Sequence, residues 1–240
     1  HDAQLILDNG GTFADVILTA IADNQIDQSK LQTTLVLFGE YTTAQAAALS
    51  FNDIISAGAG NDEVEAGLGD DTVTGGSGND LLDGGTGDDD LNGGTGGDTL
   101  KGGLGDDILV GGAGGDVLEG GAGADDMYGD NADGSGANPF DMISYSGSRE
   151  AVTINLATGQ ADGGDAEGDT WTGIEWVSGS NHDDTLTGDT GANRLFGGGG
   201  ADVLDGAAGN DHLFGGTGHD DLSGAGRRCG RGCSERWRGR

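Results

Sequence analysis

Residues 84–100 read GGTGDDDLNGGTGGDTL. Glycine fills seven of these places and aspartate four, against only two leucines. Glycine loses more backbone freedom on folding than any other residue, and neighbouring aspartates repel one another. Two leucines do not offset those costs, so the stretch needs a partner that it does not itself encode. Its order is nonetheless strict. GGTGDDDLN (84–92) and GGTGGDTLK (93–101) are one nonapeptide phrase written twice.

The phrase extends in both directions. From Ala57 to Tyr128 the chain divides without a gap into eight nonapeptides, and from Gly179 to Ser223 into five more. Across these thirteen units the fourth place is glycine except at His182, and the sixth is aspartate except at Asn193. The eighth is always Val, Leu or Met. A flexible Gly/Asp-rich linker would show no such fixed phase. Internal periodicity of this kind is the mark of a solenoid.

One unit dictates its own shape. Glycines in places one, two and four permit the positive φ that a tight turn needs. Places seven to nine predict a short strand whose central apolar residue points inward while its neighbours point out. Two units then make one coil with a strand on each side. Coils stack about 4.8 Å apart, so the first eight units predict a solenoid roughly 19 Å long. The expected fold class is all-β, a solenoid of turns and short strands in two arrays.

Stacking also sets the sixth-place carboxylates in columns, because units n and n+2 share an edge. One column runs Asp62, Asp80, Asp98, Asp116 and another Asp71, Asp89, Asp107, Asp125. The second array adds Asp184, Asp202 and Asp220, and Asn193 with Asp211. Like charges this close do not all stay ionised without a counter-charge. Calcium fits the need, since it takes six to eight oxygens from carboxylates and backbone carbonyls. The expected carbonyl donors are turn residues such as Gly75, Gly76, Gly78, Gly84, Gly85, Gly87, Gly93, Gly94, Gly96, Gly102, Gly103 and Gly105. Zinc is disfavoured, because the repeats offer oxygen rather than Cys or His. Adjacent carboxylate pairs predict about six ions in the first array and about three in the second, with the Asn193 position weak for lack of a charge. Asp88 and Asp90 are expected to be solvated charge only.

The pattern resembles the RTX (repeats-in-toxin, hemolysin-type) calcium-binding nonapeptide G-G-x-G-x-D-x-U-x. The resemblance covers 57–128 and 179–223. It implies a right-handed parallel β-roll whose calcium ligands are the sixth-place aspartates and the carbonyls of the glycine turns. It further implies an exported protein, with secretion machinery and an upstream effector domain as partners.

Bulk properties agree. The chain has 240 residues, 53 glycines, one proline and a formal charge of −32. High charge with 34% hydrophobic content marks a chain that stays disordered without a partner. So acidic a surface disfavours nucleic acid and anionic membranes and attracts cations. No apolar run is long enough to cross a bilayer, so no membrane span is expected. Starting at His1 without a recognisable leader, the sequence reads as cut from something longer.

The remaining segments are less regular. Residues 48–56 keep the phase through Asp53 and Ile55 but replace glycines with Leu49 and Phe51, as a capping half-unit would. Residues 1–47 read as the end of a preceding β-rich region, with strands in AQLIL, ADVILTAI and TTLVLFG. The connector 129–178 holds three expected strand segments, DMISY, AVTINLA and TWTGIEWVSG. It reads as continued solenoid with longer loops, or else as a partner-binding insert around Trp171 and Trp176. Plain packing of both tryptophans into the core is the simpler expectation.

The tail 227–240 breaks the pattern. It carries six of the ten basic residues and one acid, whereas residues 1–226 carry −37. Cys229 and Cys233 form a C-x₃-C pair suited to a metal or a disulfide. The codons for Arg, Gly, Cys, Trp and Ser share G in the second place, and a one-base shift turns them into codons for the residues of the repeats. The favoured reading is a frameshift near position 227 that ends the second array and removes any secretion signal beyond it.

No catalytic motif is present. His1, His182, His212 and His219 are scattered, no H-E-x-x-H or G-x-x-x-x-G-K-[ST] occurs, and Ser77 in GGSGN lacks the final glycine of a nucleophile elbow. The favoured function is a calcium-triggered folding module of a secreted or cell-surface protein. The alternatives are a structural or adhesive surface protein, and the C-terminal part of a secreted protease or lipase whose catalytic domain lies upstream.

Overall fold

The computed structural model describes residues 52–130 and 140–224, together with the short strands Leu5–Ile6, Thr34–Val36, Ala44–Gln45, Arg228–Cys229 and Arg236–Trp237. Apart from those strands, the expectations for 1–47 and for the tail 227–240 lie outside the described residues.

Among the described residues the fold is all-β, a parallel solenoid with a single short 3₁₀ turn at Gly164–Ala166. The nonapeptide phase sets the register. Leu91 pairs with Val73 on one side and Leu109 on the other, and Leu100 pairs with Leu82 and Leu118. Each partner lies two units along the chain, which is one coil, as the repeat phase predicts. Alternate units therefore fall on opposite sheets. Between the sheets the eighth-place residues form a thin double row that includes Val73, Leu82, Leu91, Leu100, Leu109 and Leu118, all fully buried.

The strands are longer than expected. Asp90–Thr95 and Thr99–Leu104, for example, run from place seven of one unit through place three of the next. Two inward positions result, the eighth-place Leu and the first-place Gly. The first-place glycine is thus a strand residue and not part of the turn. Within the thirteen nonapeptides, positive φ falls at the second and fourth places, as in Gly94 (103°) and Gly96 (136°).

The three sheets are unequal. A ten-stranded sheet runs from Ala44–Gln45 through Val117–Ala122, Met142–Ser144, Trp176–Ser178 and Arg194–Gly199 to Arg228–Cys229. It passes without a break from one repeat array into the other. The sheet facing its first half has eight strands and ends at Thr170–Thr172. A six-stranded sheet takes over, starting with the antiparallel pair Thr153–Asn155 and Gln160–Asp162. In the connector the spacing between paired residues departs from the repeat. Val117 pairs with Met142, and Met142 with Trp176. Met127 pairs with Trp171.

TWTGIEWVSG forms two strands, one ending the eight-stranded sheet and one within the ten-stranded sheet, and this separates its tryptophans. Trp171 takes an eighth-place position and packs on the core. Trp176 takes a seventh place on the outer face, where Arg194 lies over its ring at 4.4 Å and Phe140 meets it edge-on at 5.6 Å. The expectation of two inward tryptophans therefore holds for Trp171 alone.

Candidate metal centres

A hydrogen-bond ladder built on the sixth-place aspartates joins the coils. Oδ1 of Asp80 accepts the backbone N–H of Asp62 at 2.9 Å, Oδ1 of Asp98 that of Asp80 at 2.8 Å, and Oδ1 of Asp116 that of Asp98 at 2.8 Å. The other column repeats this through Asp71, Asp89, Asp107 and Asp125. In the second array Asp202 caps Asp184, Asp220 caps Asp202 and Asp211 caps Asn193. Each rung joins residues one coil apart, so the strand register that stacks the leucines also stacks the carboxylates.

The second oxygens lack partners. Oδ2 of Asp62, Asp71, Asp80, Asp89, Asp98, Asp107, Asp116, Asp125, Asp202, Asp211 and Asp220 is buried without a hydrogen bond. These side chains are nearly inaccessible, Asp98 and Asp107 each being 1% exposed. A buried carboxylate oxygen without a donor costs on the order of several kcal/mol unless a counter-charge reaches it. The surroundings hold more acceptors. Oδ2 of Asp80 and the carbonyl of Gly93, one coil further on, converge on the space where Gly75 has no Cβ. Asp98 with Gly111 O meets at Gly93, and Asp107 with Gly120 O meets at Gly102. Oxygens converging without a proton between them suit a hard cation, and nothing in this donor set favours zinc. The glycine in place one keeps that space open. In the first coil the same place is alanine, at Ala57 and Ala66.

The other glycine carbonyls point along the stack. Those of Gly76, Gly85, Gly94 and Gly103 abut the second-place glycines of the next coil, and those of Gly78, Gly87, Gly96 and Gly105 abut the fourth-place ones.

Two of the expected site residues differ from the rest. Oδ2 of Asp184 accepts the backbone N–H of Ser180 at 2.6 Å, and its Oδ1 accepts the Ser180 hydroxyl at 2.9 Å. Asn193 accepts from the Asp189 N–H at 2.9 Å and donates its Nδ2 to Glu175 O at 3.2 Å. Both side chains are satisfied from within the protein. Asp88 departs from its expectation in the other direction. Though exposed, it caps the Asp106 N–H at 3.0 Å, in a second ladder formed by fifth-place Asp and Asn residues.

Three residues extend the columns where the sequence pattern stops. Asp141 caps Asp116 at 2.9 Å, Asp169 caps Asp125 at 2.9 Å, and Glu175 caps Asp141 at 3.2 Å. Their separations of 25, 44 and 34 residues hide them from any fixed period.

Burial is the main cause that raises the column carboxyls of the first array. It pushes Asp89 up to about 7, against the opposing pull of the Asp71 N–H and with the charges of Asp107, Asp71 and Asp70 adding to the rise. Burial likewise takes Asp125 to about 7 and Asp98 and Asp107 to about 6. Unfolded, these groups titrate near 3.8. The metal-free fold therefore holds more protons than the unfolded chain between about pH 4 and 7, and its stability rises as pH falls through that window. Far-UV circular dichroism of the chelated chain is expected to show more β structure at pH 5 than at pH 8. Equal spectra would contradict the burial of these groups.

Fold and site together define a parallel β-solenoid whose coils meet along buried columns of acidic oxygens. Residues 48–82, 65–100, 83–118, 101–135, 178–213 and 200–226 match the family described as RTX calcium-binding nonapeptide repeat (4 copies). These stretches cover more than half of the chain, which belongs to the RTX calcium-binding nonapeptide repeat family. Repeats of this family bind calcium. No curated protein matches the chain. Among the described residues no helix is long and apolar enough to cross a membrane.

Proposed function

We propose that this chain is a calcium-responsive folding module of an exported protein, held at the cell surface or released. The observation that carries this reading is the set of buried aspartate oxygens without donors, beside places where glycine leaves room. Calcium supplies the positive charge that the columns lack. The sixth-place aspartates of both arrays would hold it, with first-place glycine carbonyls such as that of Gly93 as further donors, at about six positions in the first array and up to about three in the second, where Asp184 and Asn193 already have partners of their own.

The chain's own residues do the rest. Each Oδ1 fixes the neighbouring coil by capping a backbone N–H, which aims Oδ2 into the gap between coils. First-place glycines keep that gap open, and the leucine row excludes water from one side of it. Affinities of extracellular calcium sites are weak, in the range of about 10⁻⁴–10⁻³ M. Such a module would stay unfolded at low calcium inside a cell, in a state suited to secretion machinery, and fold outside. An effector domain upstream would be its cargo.

Equilibrium dialysis of the full chain at millimolar free calcium tests the reading. Binding of several ions per chain is expected, with magnesium a poor competitor because it demands a tighter octahedral shell. A chain that binds no calcium under these conditions overturns it.

A further inference from the structure

Residues 136–177 lie between the stretches that match the repeat family, yet they help to build the same cradle. Asp141 is 0% exposed, and its Oδ2 has no hydrogen-bond partner. That oxygen comes within 2.9 Å of the point where a Cβ on Gly129 would lie, and the carbonyl of Gly173 crowds the same point. In the repeats the equivalent space belongs to a first-place glycine, a sixth-place aspartate and the first-place carbonyl of the next coil. Asp141 keeps the rung as well, since its Oδ1 caps Asp116. Glu175 stands at the next rung, where its Oε2 accepts the Asp141 N–H.

The fold supplies donors elsewhere when a column ends. In the other column Oδ2 of Asp169 accepts the Tyr145 hydroxyl at 2.9 Å. Ser180 serves Asp184 in the same way, and Asn193 replaces a carboxylate with an amide. Asp141 Oδ2 receives no such donor. Asp116, Glu175 and Asp130 add negative charge around it. Arg194, the base on the neighbouring part of the sheet, is stacked on Trp176.

We propose that Asp141, with Glu175 and the Gly173 carbonyl, forms a calcium site in the connector. This site continues one column from the first array into the second along the unbroken ten-stranded sheet. The two arrays then fold as one calcium-linked unit rather than as two. The inference rests on the calcium reading of the repeats, but it concerns residues that no repeat supplies.

The test compares the full chain with Asp141→Asn, which keeps an oxygen for the Asp116 N–H and removes the charge. Bound calcium is counted by equilibrium dialysis. The backbone N–H of Trp176 donates to the Asp141 carbonyl at 2.9 Å, so Trp176 lies on the strand next to the site. Terbium emission sensitised through Trp176 is read as the difference from a Trp176→Phe chain. Asp141→Asn is expected to bind one or two fewer ions and to lose most of the Trp176-sensitised emission. Asp98→Asn should lose ions but keep that emission. If Asp141→Asn does not fold, Glu175→Gln decides by the same readouts. An unchanged ion count and emission in the variant that folds overturns the connector site while leaving the repeat sites intact. A wild-type chain without any bound calcium overturns the broader reading instead.

Discussion

Removing calcium is expected to convert the chain from a β-rich solenoid to a disordered coil. Fully burying a leucine contributes about 1.5–3 kcal/mol, whereas ordering one residue's backbone costs about 1–2 kcal/mol. Two interior leucines per coil offset only a small part of the ordering of its two nonapeptides, even with the sheet hydrogen bonds added. The carboxylate columns oppose the fold further, because their buried oxygens repel one another across the coils. Calcium reverses that sign. A single site contributes about 2.7 kcal/mol when free calcium is about a hundred times its Kd, so several sites outweigh the deficit. Far-UV circular dichroism of the full chain in millimolar calcium should show a β spectrum, and excess chelator should replace it with a coil spectrum. The change should reverse on adding calcium back, with a steep calcium dependence because each proposed site would join two coils. An unchanged spectrum after chelation would mean that the leucine row and the sheets suffice alone.

The second large effect separates two adjacent glycines. Gly94 has φ of 103°, which an L-residue adopts only at a cost of about 1–3 kcal/mol. A Cβ there would also overlap the carbonyl oxygen of Gly76 in the preceding coil. That obstacle is backbone held in a sheet and does not rotate away. Gly94→Ala should therefore abolish the calcium-induced β signal of the first array, or move its midpoint beyond tenfold higher calcium. Gly93 carries no positive φ. A Cβ at Gly93 meets Oδ2 of Asp98 and, at 2.7 Å, the carbonyl of Gly111, so it fills the cradle without a φ penalty, although that carbonyl must shift. Alanine already occupies this place at Ala57 and Ala66, both buried. Gly93→Ala should fold, bind about one ion fewer and need more calcium. Calcium titrations followed by circular dichroism compare the two, and a milder defect in Gly94→Ala than in Gly93→Ala would reverse the assigned roles.

The residues that were legible in the sequence share one property. Leu91, Leu100 and Leu109, and the columns through Asp89 and Asp98, interact with partners one coil away. A strict nonapeptide makes that distance a matter of counting, so fold, coil length, core and carboxylate columns all follow from the phase. The stretch GGTGDDDLNGGTGGDTL contained its own answer in this sense. Its apparent inability to fold pointed to a cation that no codon specifies.

Other features required the strands to be paired in space. Counting did not show that the first-place glycine belongs to the strand, since φ at Gly93 depends on how far the sheet extends past the leucine. Nor did it show that Ser180 closes Asp184 or that Asp88 caps a neighbouring coil, because those contacts depend on where an oxygen points. The connector was the least legible part. Insertions put Asp141, Asp169 and Glu175 at 25, 44 and 34 residues from the groups they cap, and no period survives such spacing. The repeating coil could be read from the chain alone, because its determinants are local and recur in fixed phase. The passage of one sheet and its column across the irregular connector emerged with the folded arrangement, because parallel strand pairing depends on proximity in space and not on distance along the chain.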